Sequence, residues 1–409
     1  MKKISVPLHY QIFIGLFLGG IFGFLFPGFS SNIKPIGTIF IRLLLLLAIP
    51  LVLTTLIVGT ASLNDIKSLG KLGLKTLSIY IITTIFALTI GIGLANLIQP
   101  GKVVINKEIV QQSATLDITQ NIKENTNFDV LTFVTEAIPK NIFESLTNAN
   151  MLQIVFFALF FGIALILIDT EKSKVITNFL DVISEVLIKM VDLVMKFAPI
   201  GVFALLAGTV SDFGISILYS LMWYIITVLL GLSLHTFLVY GLMIKYFTNF
   251  KVKDFFSKIR NAQTIAFSTS SSAATLPVTM EIAEKELKLP RKITSFVLPL
   301  GATINMDGTA LLQGVAAIFI AQFFDIDLNL MQQLTIIFMG VLASIGTAPV
   351  PGVGIIMLIG ILQSVGLPLE GIGIILGVDR ILDMSRTITN ITGDLTVACV
   401  VSKKYIRKI

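Results

Sequence analysis

The sequence predicts an all-α polytopic membrane protein with eight transmembrane helices and two re-entrant helical hairpins of opposite orientation. Of its 409 residues, 55% are hydrophobic and 13% are charged, whereas soluble domains carry about 25% charged residues. The apolar residues form repeated runs of about 20 residues, which is the length that crosses the hydrocarbon core of a bilayer. Lys and Arg gather in the short connections between these runs, where they orient helices in a membrane.

Six uninterrupted spans are predicted in the first part of the chain from their length and apolar composition. They lie near residues 8–27, 37–61, 74–98, 150–168, 176–210 and 215–246. We expect a turn at Ser30–Lys34, a cytoplasmic loop at Asn64–Lys75 and a polar outside connection at 101–149. A loop that carries Lys172 and Lys174 should also face the cytoplasm.

The first hairpin is predicted at residues 252–287. An apolar segment there is interrupted at Ser268–Pro277, and Lys and Arg residues flank it on both sides. Both flanks therefore belong on the cytoplasmic side. A segment that enters and leaves on one side is re-entrant, and its irregular tip is tolerated only against protein or water.

The second hairpin is predicted at residues 330–367, with its interruption at Gly346–Gly354. No Lys or Arg occurs between Ile293 and Asp379, so both flanks of this hairpin should face outside. Each hairpin precedes a span with polar residues near its middle, 291–323 and 370–402. Two such units of opposite orientation form an inverted repeat, which is typical of secondary transporters.

The last span carries an unusual stripe of charge. A charged side chain at the centre of a bilayer costs roughly 2.5 to 3.5 kcal/mol, so several on one helix must face protein partners or a ligand. At about 100° per residue, the polar side chains fall within an arc of roughly 120°. The stripe comprises Arg380, Asp383, Arg386, Thr387, Asn390 and Asp394.

Two members of the stripe suit an acidic amino acid. Arg386 offers a planar fork for a carboxylate, and Asp383 is an acceptor for an ammonium group. Asp383 and Arg386 can also simply neutralise one another across one helical turn. Arg380 lies three residues before Asp383 and offers the alternative of neutralising it, which would leave Arg386 for substrate.

A cation site is predicted beside the stripe. Gly301, Asn305 and Asp307 crowd carbonyl and side-chain oxygens together, and hard cations such as sodium bind several such oxygens with a carboxylate. Asp307 and Asp394 are the candidate carboxylates, although each can instead pair with a cationic side chain. The serine run at 268–272 is either a plain loop or a ligand contact at a hairpin tip.

Other function classes receive little support. One cysteine, Cys399, and two distant histidines, His9 and His235, give no disulfide framework or metal-ligand spacing. The net charge of +6 lies in loops, so nucleic-acid binding is not expected. An intramembrane aspartyl protease would need a second glycine before Gly393-Asp394. A receptor or a channel is a further alternative, since a binding site does not prove turnover.

Three motifs resemble the dicarboxylate/amino acid:cation symporter family, which includes glutamate transporters and archaeal aspartate transporters. They are Ser270–Thr279, Asn305–Thr309 and Asp383–Asp394, and the likeness spans nearly the whole chain. The resemblance implies a homotrimer in lipid, with scaffold helices in 1–72 and 150–212. A transport domain of 73–100 and 213–409 would move like an elevator, with the second hairpin as outer gate.

The resemblance also implies the substrate contacts. Asp383 would bind the amino group, Arg386 the side-chain carboxylate, and Asn390 with Ser271 and Ser272 the main-chain carboxylate and amine region. The remaining candidates for the pocket are Ser270, Met306, Thr309, Val350, Gly354, Arg380 and Thr387.

Three sodium sites follow from the same resemblance. The first comprises Gly301, Asn305, Asn390 and Asp394. The second comprises Thr303 with the carbonyls of Ser344, Ile345 and Thr347. The third comprises Tyr80, Thr83, Thr84, Asn305 and Asp307.

Three features depart from the family pattern. Ser270 stands where archaeal relatives carry arginine, while Arg380 is added on the last helix. Gln313 stands where proton-coupled animal members have glutamate, and an amide cannot carry a proton at neutral pH. Pro349 at the second tip removes a backbone donor.

We expect a sodium-coupled symporter of L-aspartate and L-glutamate in a prokaryotic cytoplasmic membrane, with both termini inside and no enzymatic activity. A proton-coupled, neutral amino acid or C4-dicarboxylate carrier is the alternative within the family.

Overall fold

The computed structural model describes residues 8–61, 71–102, 135, 138–148, 150–214, 216–347, 349 and 352–406. These residues form helices and connecting turns and contain no β-strand, so the all-α fold class is confirmed. Among the described residues, five helical stretches are long and apolar enough to cross a membrane, and two of these, Ile217–Phe247 and Arg291–Phe323, each comprise consecutive helices. The number of eight spans, the side from which each hairpin enters and the position of both termini stay predictions.

Among the described residues, the first half of the chain forms eight α-helices. A π-helix, His235–Tyr240, joins the last two of them. The α-helices are α1 Leu8–Leu25, α2 Pro27–Ala61, α3 Lys71–Ile98, α4 Ile142–Thr147, α5 Met151–Leu167, α6 Thr170–Phe213, α7 Ser216–Leu234 and α8 Gly241–Phe247.

The second half contains two helix pairs and three further helices. The pairs are α9 Val252–Thr269 with α10 Ser272–Lys285, and α13 Leu330–Gly346 with α14 Val353–Ser364. The predicted span 291–323 forms two helices, α11 Arg291–Ile304 and α12 Asp307–Phe323, because the helix breaks at Asn305 and Met306. The last helix, α15 Gly371–Ile406, is continuous.

Two predicted connections are wrong. Ser30–Lys34 lies inside α2, since the chain turns at Phe26 and Pro27 occupies the first helical position, where no backbone donor is needed. Lys172 and Lys174 lie in the first turns of α6 rather than in a loop. The helix starts early because the Asp169 side chain accepts from Glu171 N at 3.0 Å and from Lys172 N at 3.4 Å.

Other predictions fall partly outside the described residues. These are residues 64–70 of the loop predicted at Asn64–Lys75 and most of the outside connection at 101–149. Residues 71–75 of that predicted loop instead form the first turn of α3. The predicted interruption at Ser268–Pro277 is narrower in the structure. Only Ser270 and Ser271 separate α9 from α10, and Pro277 lies within α10.

The helices pack in two groups. In one, α2 packs against α5 and α6, and α1 packs against α6. In the other, α12 and α15 pack against each other and are surrounded by α3, α7, α9, α11 and α13. All 17 residues of α12 are buried. The pair of α12 and α15 therefore forms the centre of the second group and carries its polar residues. The division into a fixed scaffold and a moving domain stays a prediction.

Candidate functional site

The polar face of α15 lies in the interior of the protein. Asp383, Arg386, Asn390 and Asp394 are at most 3% exposed. Buried charges are costly unless they are paired and hydrogen-bonded, so the partners of these side chains define the site.

Asp383 and Arg386 form an ion pair within one turn of α15. Arg386 donates from Nε to Asp383 Oδ1 at 2.8 Å, and its Nη2 lies 2.6 Å from the same oxygen. Asp383 Oδ2 accepts from the Gly352 N–H at 3.2 Å and lies 3.5 Å from Arg380 Nη1. The mutual neutralisation of Asp383 and Arg386 that their spacing allows is thus present. Arg380 is a second cation at Asp383 and does not replace Arg386 there.

One nitrogen of the Arg386 guanidinium has no partner. Nη1 is buried without a hydrogen bond in the described structure. It lies against Gly354, where an added Cβ would overlap Nη1 and fall 2.7 Å from Cζ. An unpaired buried donor costs about 1 to 3 kcal/mol. An anionic ligand that binds Nη1 would therefore give this unpaired donor a hydrogen-bond acceptor.

Asn390 connects α15 to the start of α12. Its Oδ1 accepts from Gly308 N at 2.8 Å, and its Nδ2 donates to Met306 Sδ at 3.3 Å and to Thr309 Oγ1 at 3.4 Å. These contacts fix the orientation of the amide. Thr387 is nearby but donates to the Asp383 carbonyl at 2.8 Å.

The tips of the two hairpins touch at this site. Ser271 Oγ donates to the Pro349 carbonyl at 2.7 Å and accepts from Ala274 N at 3.1 Å, which caps α10. Ser270 has a left-handed backbone, with φ of 51°, and its buried Oγ has no partner. Ser272 begins α10 and is buried. Val350 lies outside the described residues.

The first predicted sodium set comes together around the break between α11 and α12. Asn305 Nδ2 donates to Asp394 Oδ1 at 2.9 Å and to the Asn390 carbonyl at 3.3 Å. A Cβ at Gly301 would overlap Asp394 Oδ1. Asn305 Oδ1 is buried without a partner. Amide and carboxylate oxygens close to one another suit a hard cation, so these residues fit sodium.

Among the residues that the structure describes, Asp307 has hydroxyl and imidazole partners and no lysine or arginine partner. Its Oδ1 accepts from Thr84 at 2.6 Å, and its Oδ2 accepts from Tyr240 at 2.7 Å and lies 3.2 Å from His235 Nε2. Two other members of the third predicted set serve the backbone instead. Tyr80 donates to the Val297 carbonyl at 3.0 Å, and Thr83 donates to the Tyr80 carbonyl at 3.0 Å.

The second predicted sodium set is less compact. Thr303 is exposed, and its hydroxyl donates to the Leu300 carbonyl at 2.9 Å within its own helix. Ser344 instead contacts the helix break, donating to the Ile304 carbonyl at 3.0 Å. Thr347 donates to the Ala343 carbonyl at 2.7 Å. No hydrogen bond joins Thr303 to residues 344–347 among those described, and Ile345 lies between Ser344 and Thr347 at the end of α13.

Sequence reasoning missed His235 and Tyr240. In an α-helix, residues five apart point about 140° away from each other, so nothing in the periodicity joins them. The π-helix His235–Tyr240 has wider turns, and both side chains meet the same oxygen of Asp307. The signal available was the presence of a histidine and a tyrosine in an otherwise apolar span.

Comparison with known proteins finds symporters and transport proteins that match nearly the whole chain. The sequence profile described as "Sodium:dicarboxylate symporter family" matches residues 8–404. A "Proton/sodium-glutamate symport protein" of Geobacillus stearothermophilus is 40% identical over 408 residues, covering 98% of this chain and 95% of that protein. A "Proton/glutamate-aspartate symporter" of Escherichia coli is 36% identical, covering 100% and 96%. A "C4-dicarboxylate transport protein" of Aeromonas salmonicida is 33% identical, covering 99% and 93%.

Proposed function

Because the chain belongs to the sodium:dicarboxylate symporter family, we propose that it is a sodium-coupled symporter of L-aspartate and L-glutamate. The observation that carries this proposal is the buried pair of Asp383 and Arg386, in which one guanidinium nitrogen is unused. A molecule with an ammonium group and a side-chain carboxylate can replace each partner of this pair. The relatives named above as glutamate symporters support the same substrate class.

Substrate binding exchanges one ion pair for two. The ammonium group binds Asp383, and the side-chain carboxylate binds Arg386 through two parallel hydrogen bonds. The main-chain carboxylate lies by Asn390, Ser271 and Ser272. Ser270, Met306, Thr309, Thr387, Val350 and Gly354 line the rest of the pocket.

Sodium is the cotransported ion in this proposal. Asp307 and Asp394 are buried carboxylates without a lysine or arginine partner in the described structure, so each benefits from a cation. The sodium site of Asp394 is completed by Gly301, Asn305 and Asn390. The sodium site of Asp307 is completed by Tyr80, Thr83, Thr84 and Asn305. Thr303, Ser344, Ile345 and Thr347 form the remaining site once substrate is bound.

The transport cycle follows from the two packing groups. The group around α12 and α15 carries the site across the membrane against a fixed scaffold of α1, α2, α5 and α6, and α13 with α14 forms the outer gate. The protein acts as a homotrimer in the bacterial inner membrane, with both termini in the cytoplasm.

Uptake into proteoliposomes tests the proposal. Labelled L-aspartate should accumulate when a sodium gradient is imposed and should not accumulate with potassium in place of sodium. A separate proton gradient at equal sodium tests the alternative coupling ion, which the relatives' names include. Accumulation that follows the proton gradient and ignores sodium would overturn sodium coupling. Gln313, which donates to the Gly354 carbonyl at 2.9 Å, offers no proton carrier at its position.

A C4-dicarboxylate carrier is the second candidate. The observation in its favour is Arg380, a second cation at Asp383, because a dicarboxylate brings no ammonium group to that residue. The relative from Aeromonas salmonicida bears the name of a C4-dicarboxylate transport protein. Competition between labelled L-aspartate and succinate separates the two candidates. A neutral amino acid is disfavoured because it leaves Arg386 without a carboxylate.

A further inference from the structure

Four charged groups lie within two turns of α15. Asp383 is paired to Arg386 on one oxygen and to Arg380 on the other. Asp379 is 7% exposed and forms no hydrogen bond or ion pair within the described residues. The cluster is therefore neutral overall but unevenly paired, because one carboxylate has two cations and the other has none at contact distance.

Arg380 is held less firmly than Arg386. Its side chain is 16% exposed, its nearest contact to Asp383 is 3.5 Å, and its Nε is buried without a partner. Arg386 makes two contacts to Asp383, both of which are shorter. A single long contact and an unused donor indicate that the Arg380 head group can leave Asp383 at low cost.

Arg380 and Asp379 line the same small cavity. Asp379, Arg380 and Asp383 form its polar wall, between the two packing groups. Its other walls are apolar and come mainly from α1, α2 and α6, including Ile12, Phe40, Leu44, Met195, Ala198 and Val202. Asp379 is thus a carboxylate without a contact partner on the same cavity wall as Arg380.

We propose that Arg380 is the resident counter-ion of Asp383, and that it sets the discrimination between acidic amino acids and dicarboxylates. This inference rests on the proposed function. When L-aspartate binds Arg386, the ammonium group of L-aspartate replaces Arg386 as the partner of Asp383. Arg380 then moves from Asp383 towards Asp379. When a dicarboxylate draws Arg386 away, no ammonium group arrives and only Arg380 keeps Asp383 neutralised. Arg380 thus matters most for ligands without an ammonium group.

The experiment compares two ligands on purified full-length protein in saturating sodium. The affinity for labelled L-aspartate and the inhibition constant of succinate are measured for wild type and Arg380→Gln. We expect the ratio of the succinate constant to the L-aspartate constant to rise on the order of tenfold in the variant, because close buried charge pairs couple by about that much or more. A ratio removes effects that both ligands share, including partial unfolding.

Two matched variants complete the test. Arg380→Lys keeps the charge and should keep the ratio near wild type. Arg260→Gln removes an exposed arginine of α9 far from the cluster and should change neither constant. A ratio that is unchanged or lower in Arg380→Gln would overturn the role of Arg380. Failure of wild type to bind L-aspartate at all would instead overturn the proposed function and this inference with it.

Discussion

At the scale of single residues, Arg386 is the side chain on which the proposed substrate recognition depends most directly. Its Nη1 is unpaired and its other nitrogens hold Asp383. Arg386→Ala should weaken L-aspartate binding by at least about 30-fold, since removing one partner of a buried charge pair costs about 2 to 5 kcal/mol. Isothermal titration in saturating sodium measures this loss.

The charge-conserving variant Arg386→Lys separates charge from geometry. Lysine keeps a cation but lacks the planar fork that binds a carboxylate through two bonds. We expect an intermediate affinity, weaker than wild type and stronger than Arg386→Ala. Equal L-aspartate affinity in wild type and Arg386→Ala would show that Arg386 has no role in recognition.

Asp394 should affect sodium more than substrate. Its Oδ1 is hydrogen-bonded to Asn305, and its partners include no lysine or arginine in the described structure. Asp394→Asn removes the negative charge and keeps the size, so the sodium concentration for half-maximal L-aspartate binding should rise by roughly tenfold or more.

The matched control is Asp327→Asn, a neutralisation at a carboxylate whose side chain is 99% exposed. It should leave the sodium dependence unchanged, because exposed charges interact weakly through water. At saturating sodium, Asp394→Asn should recover most of its substrate affinity. A loss that sodium cannot restore would place Asp394 in substrate binding instead.

At the scale of helices, the break between α11 and α12 is the feature that brings the proposed sodium ligands together. Breaking a helix frees backbone groups that need partners when buried. Ser344 of α13 supplies one side chain for two of them, donating to the Ile304 carbonyl at 3.0 Å and accepting from Met306 N at 3.3 Å. The break is thus stabilised from the second hairpin, which couples the hairpin to the proposed sodium ligands.

Ser344→Ala should therefore destabilise the protein by about 1 to 3 kcal/mol, the cost of leaving buried polar groups unpaired. Sodium should also stabilise the variant less than wild type, because the loosened break carries Asn305 and Asp307. Thermal unfolding in detergent with and without sodium measures both effects. Ser364→Ala in α14 is the control, since that hydroxyl bonds only within its own helix. Identical shifts in the two variants would contradict a special role for Ser344.

The sequence predicted helices better than their ends. Apolar runs identify the spans because membrane length is a strong constraint. The turn at Ser30–Lys34 was misplaced because polar residues in a short window resemble a loop, whereas Ser30 donates to the Phe26 carbonyl at 2.9 Å within a helix. The contacts of Arg386 with Asp383 follow from helical spacing. The contacts of His235 and Tyr240 with Asp307 do not, because a π-helix and a long-range packing contact produce them.

At the scale of the whole molecule, the proposed motion requires sliding between the two packing groups. The α2–α13 contact is close: an added Cβ on Gly346 would lie 3.5 Å from Leu56 Cα and closer to the Leu56 side chain. Because glycine has no side chain, α13 can approach α2 closely at this contact without interlocking side chains. The same contact also gives a place where the two groups can be joined covalently.

Leu56→Cys with Gly346→Cys, in a Cys399→Ala background, should form a disulfide that stops transport, because it joins the two groups across their boundary. The positions are near enough for a disulfide with small adjustment. Uptake should cease on oxidation and return on reduction. Gly37→Cys with Leu205→Cys is the matched control, since it joins α2 to α6 within one group. Its oxidation should leave uptake intact. Undiminished uptake through a fully formed Leu56–Gly346 cross-link would mean that substrate crosses without relative movement of the groups at this contact.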